Sequence, residues 1–140
     1  MNDSDLIARA AEFRRHAYAP YSGFAVGAAL LARSGRVYGG VNVENASYPV
    51  GICAERTAIA AAITAGEREF EALAVIADSP GPCAPCGMCR QMLMEFPIKR
   101  IILSNLSGAV HIMTPAELLP YTFGAAALPP KELPNEDTDC

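Results

Sequence analysis

The chain has no run of lysine or arginine, no apolar stretch long enough to cross a bilayer and no histidine near a cysteine. Each gap closes off a class of function. A polynucleotide binder needs a basic face for phosphate, whereas the net charge here is −4, so nucleic acid is expected neither as substrate nor as partner. A membrane helix needs ~18 or more consecutive apolar residues, and none are found, so no membrane partner is expected. A signal peptide puts basic residues ahead of an apolar core. Met1-Asn2-Asp3-Ser4-Asp5 does neither, which makes a cytoplasmic location the expectation. No internal repeat is visible. A secreted disulfide framework spreads its cysteines, but three of the five here fall within residues 83–89. That clustering reads as metal or redox chemistry.

What the chain does hold is apolar: 51% hydrophobic against 19% charged residues over 140 positions. That length suits one domain with a real core. Alanine supplies much of the apolar share, and the excess hints at surface buried between subunits. Ser4 is placed to cap a first helix, with Leu6, Ile7, Ala10, Ala11 and Phe13 on its buried side and Pro20 as its stop. Val26 to Ala32 and Arg36 to Val43 read as strands joined at Ser34-Gly35, followed by a loop broken at Pro49. Cys53 opens an alanine-rich helix closed near Gly66, and Ala72 to Ala77 is a continuous apolar run suited to a buried strand.

A Pro/Gly-rich loop over residues 78–85 then leads into a helix from Gly87 to Phe96, ended by Pro97. Arg100 to Ser104 and Ala109 to Met113 read as two more strands. Thr114-Pro115-Ala116-Glu117 has the form of a helix start, with Thr as cap, Pro first and Glu returning to the cap amide. The order predicts an α/β fold, a three-layer α/β/α sandwich with one mixed β-sheet of about five strands. Residues 1–128 are expected to form a single domain and the Pro-rich, acidic residues 129–140 a flexible tail.

Chemistry concentrates in two short segments, Cys53-Ala54-Glu55 and Pro85-Cys86-Gly87-Met88-Cys89. Zinc prefers tetrahedral sulfur or nitrogen ligands, and a Cys-x-x-Cys turn brings two sulfurs to one metal. Gly87 would supply backbone freedom for that turn. Both segments lie at expected helix N-termini, where free amides and the helix dipole favour thiolate over thiol. Three protein ligands leave a fourth position for water, and Glu55 is placed to move that water's protons. Spacing alone does not choose between overlapping pairs, since Cys83 and Cys86 are also three apart. Pro85 stiffens the first turn and only the second runs straight into a helix, which favours Cys86 and Cys89. Cys83 is then a small apolar loop residue and Cys140 a tail thiol.

Rival readings lack residues. A ferredoxin-type cluster wants a further cysteine where Leu93 stands. A structural zinc wants a fourth protein ligand, and His16 and His111 are far from every cysteine. Glu55 taken alone would be an ordinary first-turn helix residue; its place beside a ligand changes that. Three thiolates on Zn2+ leave a net negative site, and an adjacent guanidinium would offset the charge. Arg56 is favoured for this role over Arg90.

With these residues assembled, the chain closely resembles the small, homotetrameric class of cytidine deaminases. The matching blocks are residues 21–30 from Tyr21 through Phe24 to Leu30, residues 42–49 from Asn42 through Glu44 to Pro49, residues 51–58 around Cys53 and Glu55, and residues 85–91 around Cys86 and Cys89. They run in family order over most of residues 20–125, and the zinc-deaminase signature lies within them. The resemblance implies one Zn2+ per subunit on Cys53, Cys86 and Cys89, which settles the overlap with Cys83, and Glu55 as catalytic proton shuttle. It implies that Asn42 and Glu44 hold the ribose hydroxyls, that Phe24 packs on the base and that Ala54 also contacts the substrate. Tyr48 and Phe123 match positions that reach a neighbouring subunit's site. The implied reaction is hydrolytic deamination of cytidine and deoxycytidine to uridine and deoxyuridine with release of ammonia, a step of pyrimidine salvage. Met88, where the family usually has a shorter residue, and the extra Cys83 are departures that leave the mechanism untouched.

Overall fold

The computed structural model describes residues 1–130; the acidic tail expected from residue 129 lies, from residue 131 onward, outside the described residues. Helix α1 (Asp3–Arg14) is capped by Asn2 rather than by Ser4. The Asn2 side chain accepts the Asp5 N–H at 2.9 Å, and the Asp5 carboxylate accepts the Asn2 N–H at 3.1 Å. This reciprocal box satisfies two otherwise free donors, which a cap at Ser4 would have left outside the helix. Pro20 does not stop the helix either. The chain tightens after Arg14, with His16 N–H on the Phe13 carbonyl at 2.9 Å and Ala17 N–H on that of Arg14 at 3.0 Å.

Strands β1 (Val26–Ala32) and β2 (Val37–Val41) form the expected hairpin, followed by α2 (Ala54–Thr64), β3 (Phe70–Ala77), α3 (Gly87–Glu95), β4 (Arg100–Asn105), β5 (Val110–Met113) and the four-residue α4 (Pro115–Leu118). Strand β3 starts two residues before the apolar run. Glu71 stands just before that run, at the strand's start with its carboxylate 2.8 Å from the Lys99 ammonium, while Phe70 is buried against Phe96. Strand β2 is shorter than expected because Val43 leaves it to bridge Tyr18 on one side and Ile52 on the other. The Thr114–Glu117 capping box forms as read.

The five strands make one mixed sheet in the order β2-β1-β3-β4-β5, with β3 and β4 parallel and the other neighbours antiparallel. Alternation along each strand divides the core in two. Leu6 and Ala10 of α1 pack with Ala29, Ala74, Ile76 and Ile102 on one face. Ala58, Ile59 and Ala62 of α2, with Leu93 of α3 and Leu118 of α4, pack with Leu30, Leu73, Val75, Ile101 and Leu103 on the other. Three layers result, α1 on one side and α2, α3 and α4 on the other. Burial on both faces explains why β3 reads as unbroken apolar sequence.

The topology sets where the chemistry falls. Strands β2 and β3 run the same way on either side of β1, and β3 is parallel to β4. Helices α2 and α3 make the crossovers between them. Each helix therefore begins beyond the C-terminal ends of parallel strands, the end of such sheets where ligands usually bind. Residues 42–44, which leave β2, and residues 24–26, which enter the antiparallel β1, come to that same end.

Candidate metal centre and active site

Cys53 is the N-cap of α2 and Cys86 the N-cap of α3, both in extended backbone; Cys89 lies one turn into α3 and is fully buried. The crossovers bring their three Sγ atoms within 4.8 Å of one another, with Cys53 and Cys86 at 3.7 Å. Four-coordinate zinc with Zn–S bonds of ~2.3 Å demands S···S separations of about 3.8 Å. The sulfur set therefore fits zinc in both ligand chemistry and spacing. Among the described residues this is the only metal-capable cluster, and Cys83 is outside it. Gly87 is not needed for a special conformation: it is the first residue of α3, with no positive φ. The helix start itself, not glycine freedom, turns the chain between Cys86 and Cys89.

The sulfurs are poised unequally. A hydrogen bond from Cys89 holds Cys53 down to about 5 against the opposing effect of partial burial, with Arg56 and Cys86 adding to the lowering. Cys89 is pushed up because it supplies that hydrogen bond and is buried beside Glu55. Arg56, on the same first turn, sets Nη2 3.9 Å from the Cys53 sulfur. Its Nε is buried without a hydrogen-bond partner. Glu55 is only 4% exposed, and burial raises its carboxyl above the ordinary carboxylate range while a hydrogen bond from Cys89 partly opposes this. Cys83 rises to about 11, chiefly through burial, which makes it an inert thiol at neutral pH.

A cavity of about 180 Å3 opens onto Cys53 and Cys86, lined also by Phe24, Asn42, Ala54 and Glu55 together with Val26, Cys83 and Ala84. A second hollow of about 340 Å3 takes in Glu44 and Tyr48, with Tyr21, Ser22, Asn45 and Gly51. Asn42 joins the two sides of the first cavity: its Oδ1 accepts the Val26 N–H at 2.9 Å and its Nδ2 donates to the Phe24 carbonyl at 2.7 Å. Glu44 accepts the Tyr21 and Ser22 N–H groups, each at 3.0 Å, and the Ser22 hydroxyl. Those hydrogen bonds, the Ser22 hydroxyl first, hold its carboxyl below the usual range. Phe123 stands apart, exposed, with its carbonyl accepting from Gln91 at 2.8 Å.

The family model described as "Cytidine and deoxycytidylate deaminase zinc-binding region" matches residues 1–105. The cytidine deaminase of Sporosarcina psychrophila is 49% identical over 125 residues, 88% of this chain and 92% of that one. That of Halalkalibacterium halodurans is 46% identical over 127 residues, covering 89% and 96%. This chain belongs to the cytidine and deoxycytidylate deaminase family. The crystal structure of the cytidine deaminase from Burkholderia pseudomallei shares the fold at a TM-score of 0.86 and 47% identity, over 88% of this chain and all of that one. The deaminase fold, the zinc cofactor and the mixed five-stranded sheet thus agree with the reading of the sequence. For a deaminase, the cavity wall holds residues that motif reading passed over. Val26 and Ala84 carry no chemical signal in sequence, and Cys83, read as a bystander, lies outside the sulfur cluster but does face the cavity.

Proposed function

We propose that this chain hydrolyses the exocyclic amine of cytidine and deoxycytidine, giving uridine or deoxyuridine and ammonia, as a cytoplasmic step of pyrimidine salvage. The buried Glu55 beside three clustered sulfurs, lining one cavity with Phe24 and Asn42, carries this reading. Residues 1–128 act as one catalytic domain, and Cys53, Cys86 and Cys89 hold one Zn2+ per chain. Zinc, when bound, supplies a Lewis acid that brings the pKa of water from 15.7 toward ~7.

Glu55 takes a proton from the attacking water and hands it to N3 of the base as C4 becomes tetrahedral. It then takes the proton of the new C4 hydroxyl and delivers it to the exocyclic amine, which leaves as ammonia while C4 becomes a carbonyl. Burial raises this carboxyl above the ordinary carboxylate range, which brings it nearer the working pH and suits a group that must both accept and return a proton. Asn42 and Glu44 take the sugar hydroxyls, Phe24 packs on the base and Ala54 borders it. In place of bulk solvent, a neighbouring subunit completes the site: Tyr48 is 76% and Phe123 64% exposed in the single chain, aromatic surface that a homotetramer would cover. No helix of the described residues is long and apolar enough to cross a membrane.

Arg56 offsets the charge of three thiolates. Arg56→Gln is expected to lower zinc retention or turnover by roughly 10–100-fold. Zinc content after dialysis and kcat, both unchanged, would reject that role. The reaction itself is tested by following ultraviolet loss of cytidine in a preparation whose zinc is measured alongside. Conversion should proceed with one zinc per chain, stop when a chelator strips the metal and be far weaker on free cytosine, which lacks the sugar. Zinc-replete protein that leaves cytidine intact would refute the proposal.

A further inference from the structure

The two walls of the active-site cavity come from different elements. One includes Asn42, just beyond the end of β2 and two residues before Glu44 of the neighbouring hollow; the other is the start of α2, with Cys53, Ala54 and Glu55. Strand β2 is an edge strand with only β1 beside it. Its last residue, Val41, is instead gripped by a helix side chain. Thr57 Oγ1 accepts the Val41 N–H at 3.0 Å, and its single proton is shared between the carbonyls of Val41 and Ala54, each 2.8 Å away. A threonine in a helix usually bonds back only to its own preceding turn, as Thr64 does to the Ala60 carbonyl at 2.7 Å. Thr57 makes that bond and also reaches across to the strand. Gly40 makes room for this: a Cβ there would lie 2.2 Å from the Ala54 carbonyl oxygen and 2.5 Å from the Ala58 nitrogen.

We infer that Thr57 is a positioning residue, a bracket that sets the distance between the nucleoside-gripping segment 42–44 and the Cys53–Glu55 turn. The inference rests on the deaminase reading above. Thr57 is absent from the lining of the cavity and from the sulfur cluster, so it acts through Val41 and Ala54. Asn42 follows Val41 directly and ties both its side-chain groups to Phe24 and Val26. A shift at Val41 therefore moves the sugar contacts and the base-stacking ring together, relative to Glu55. β-Branching stiffens the Thr57 χ1 angle, which makes the bracket rigid. A misplacement of about 1 Å by a residue remote from the reacting atoms can cost on the order of 10²-fold.

The test compares zinc-replete Thr57→Val, Thr57→Ser and Thr64→Val with the unmodified protein, measuring kcat, KM for cytidine and zinc per chain. Thr57→Val keeps the shape and loses the hydroxyl; it should raise KM about tenfold with kcat within about threefold and zinc at one per chain. Thr57→Ser should restore KM to within about twofold. Thr64→Val loses a similar bond at the far end of the same helix and should leave KM and kcat unchanged. Thr57→Ala, free of any crowding by the valine methyl, carries the same expectation as Thr57→Val. A normal KM in the valine and alanine variants, even with a lower Tm, overturns the inference, as does failure of serine to restore KM. Absence of turnover in the unmodified protein strikes at the deaminase reading instead.

Discussion

Glu55→Ala is expected to fold, to keep its zinc and to lose turnover on cytidine by more than the ~10²–10⁴ typical of a single general acid–base group, because the carboxyl moves protons in two steps. The proposed ligands are Cys53, Cys86 and Cys89, and the Glu55 carboxylate is not one of the clustered ligand atoms. Metal content should hold. Stability should not fall much either, since a carboxylate that is 4% exposed carries a desolvation cost the alanine does not. Glu55→Gln sharpens the distinction. It preserves the size of the side chain and its capacity to hydrogen-bond, but has no proton to exchange near neutral pH, so it should be almost as slow as alanine. The measurements are kcat, zinc per chain and Tm on the same preparations. Near-normal turnover in a zinc-replete variant would remove Glu55 from the mechanism.

Gly40→Ala should be strongly damaging to both stability and the site. The backbone at Gly40 has no positive φ, so alanine could adopt it. The obstacle is steric: the new Cβ would sit 2.2 Å from the Ala54 carbonyl oxygen and 2.7 Å from the Ala58 Cβ. Neither neighbour can yield without moving α2, because both belong to its first two turns. Overpacking of this kind costs about 3 kcal/mol or more, a fall in Tm of roughly 10 °C for a domain of this size. Because the displaced turn carries Cys53 and Glu55, zinc retention and turnover should fall with it. Gly81→Ala is the control, since a Cβ there meets nothing within 4 Å and its φ is ordinary; it should stay within about 0.5 kcal/mol. Equal thermal midpoints for the two variants would refute the close-packing account of Gly40.

Much of the architecture was legible residue by residue. The Thr114 capping box, the hairpin at Ser34-Gly35 and the helix starts at Cys53 and Cys86 all rest on interactions within a few residues, which is why motif and periodicity reach them. Errors came where local signals competed. Asn2 and Ser4 are both good caps, and the choice fell to Asn2 because Asp5 could answer it from the third helical position. The start of β3 lies outside the apolar run because Glu71, a charged residue at the strand's edge, pairs with Lys99 twenty-eight positions away.

The cysteine and glutamate chemistry of the site was determined by the amino-acid sequence alone, because ligand type and proton-transfer capacity belong to side chains whatever their surroundings. Only the tertiary structure decided that Cys53 would meet Cys86 and Cys89, that Cys83 would line the cavity without joining the cluster, and that Thr57 would seize the end of β2. Those outcomes depend on two parallel crossovers delivering separate helix starts to one end of the sheet. Contacts between residues thirty positions apart are set by strand order and close backbone approach, which no local pattern encodes.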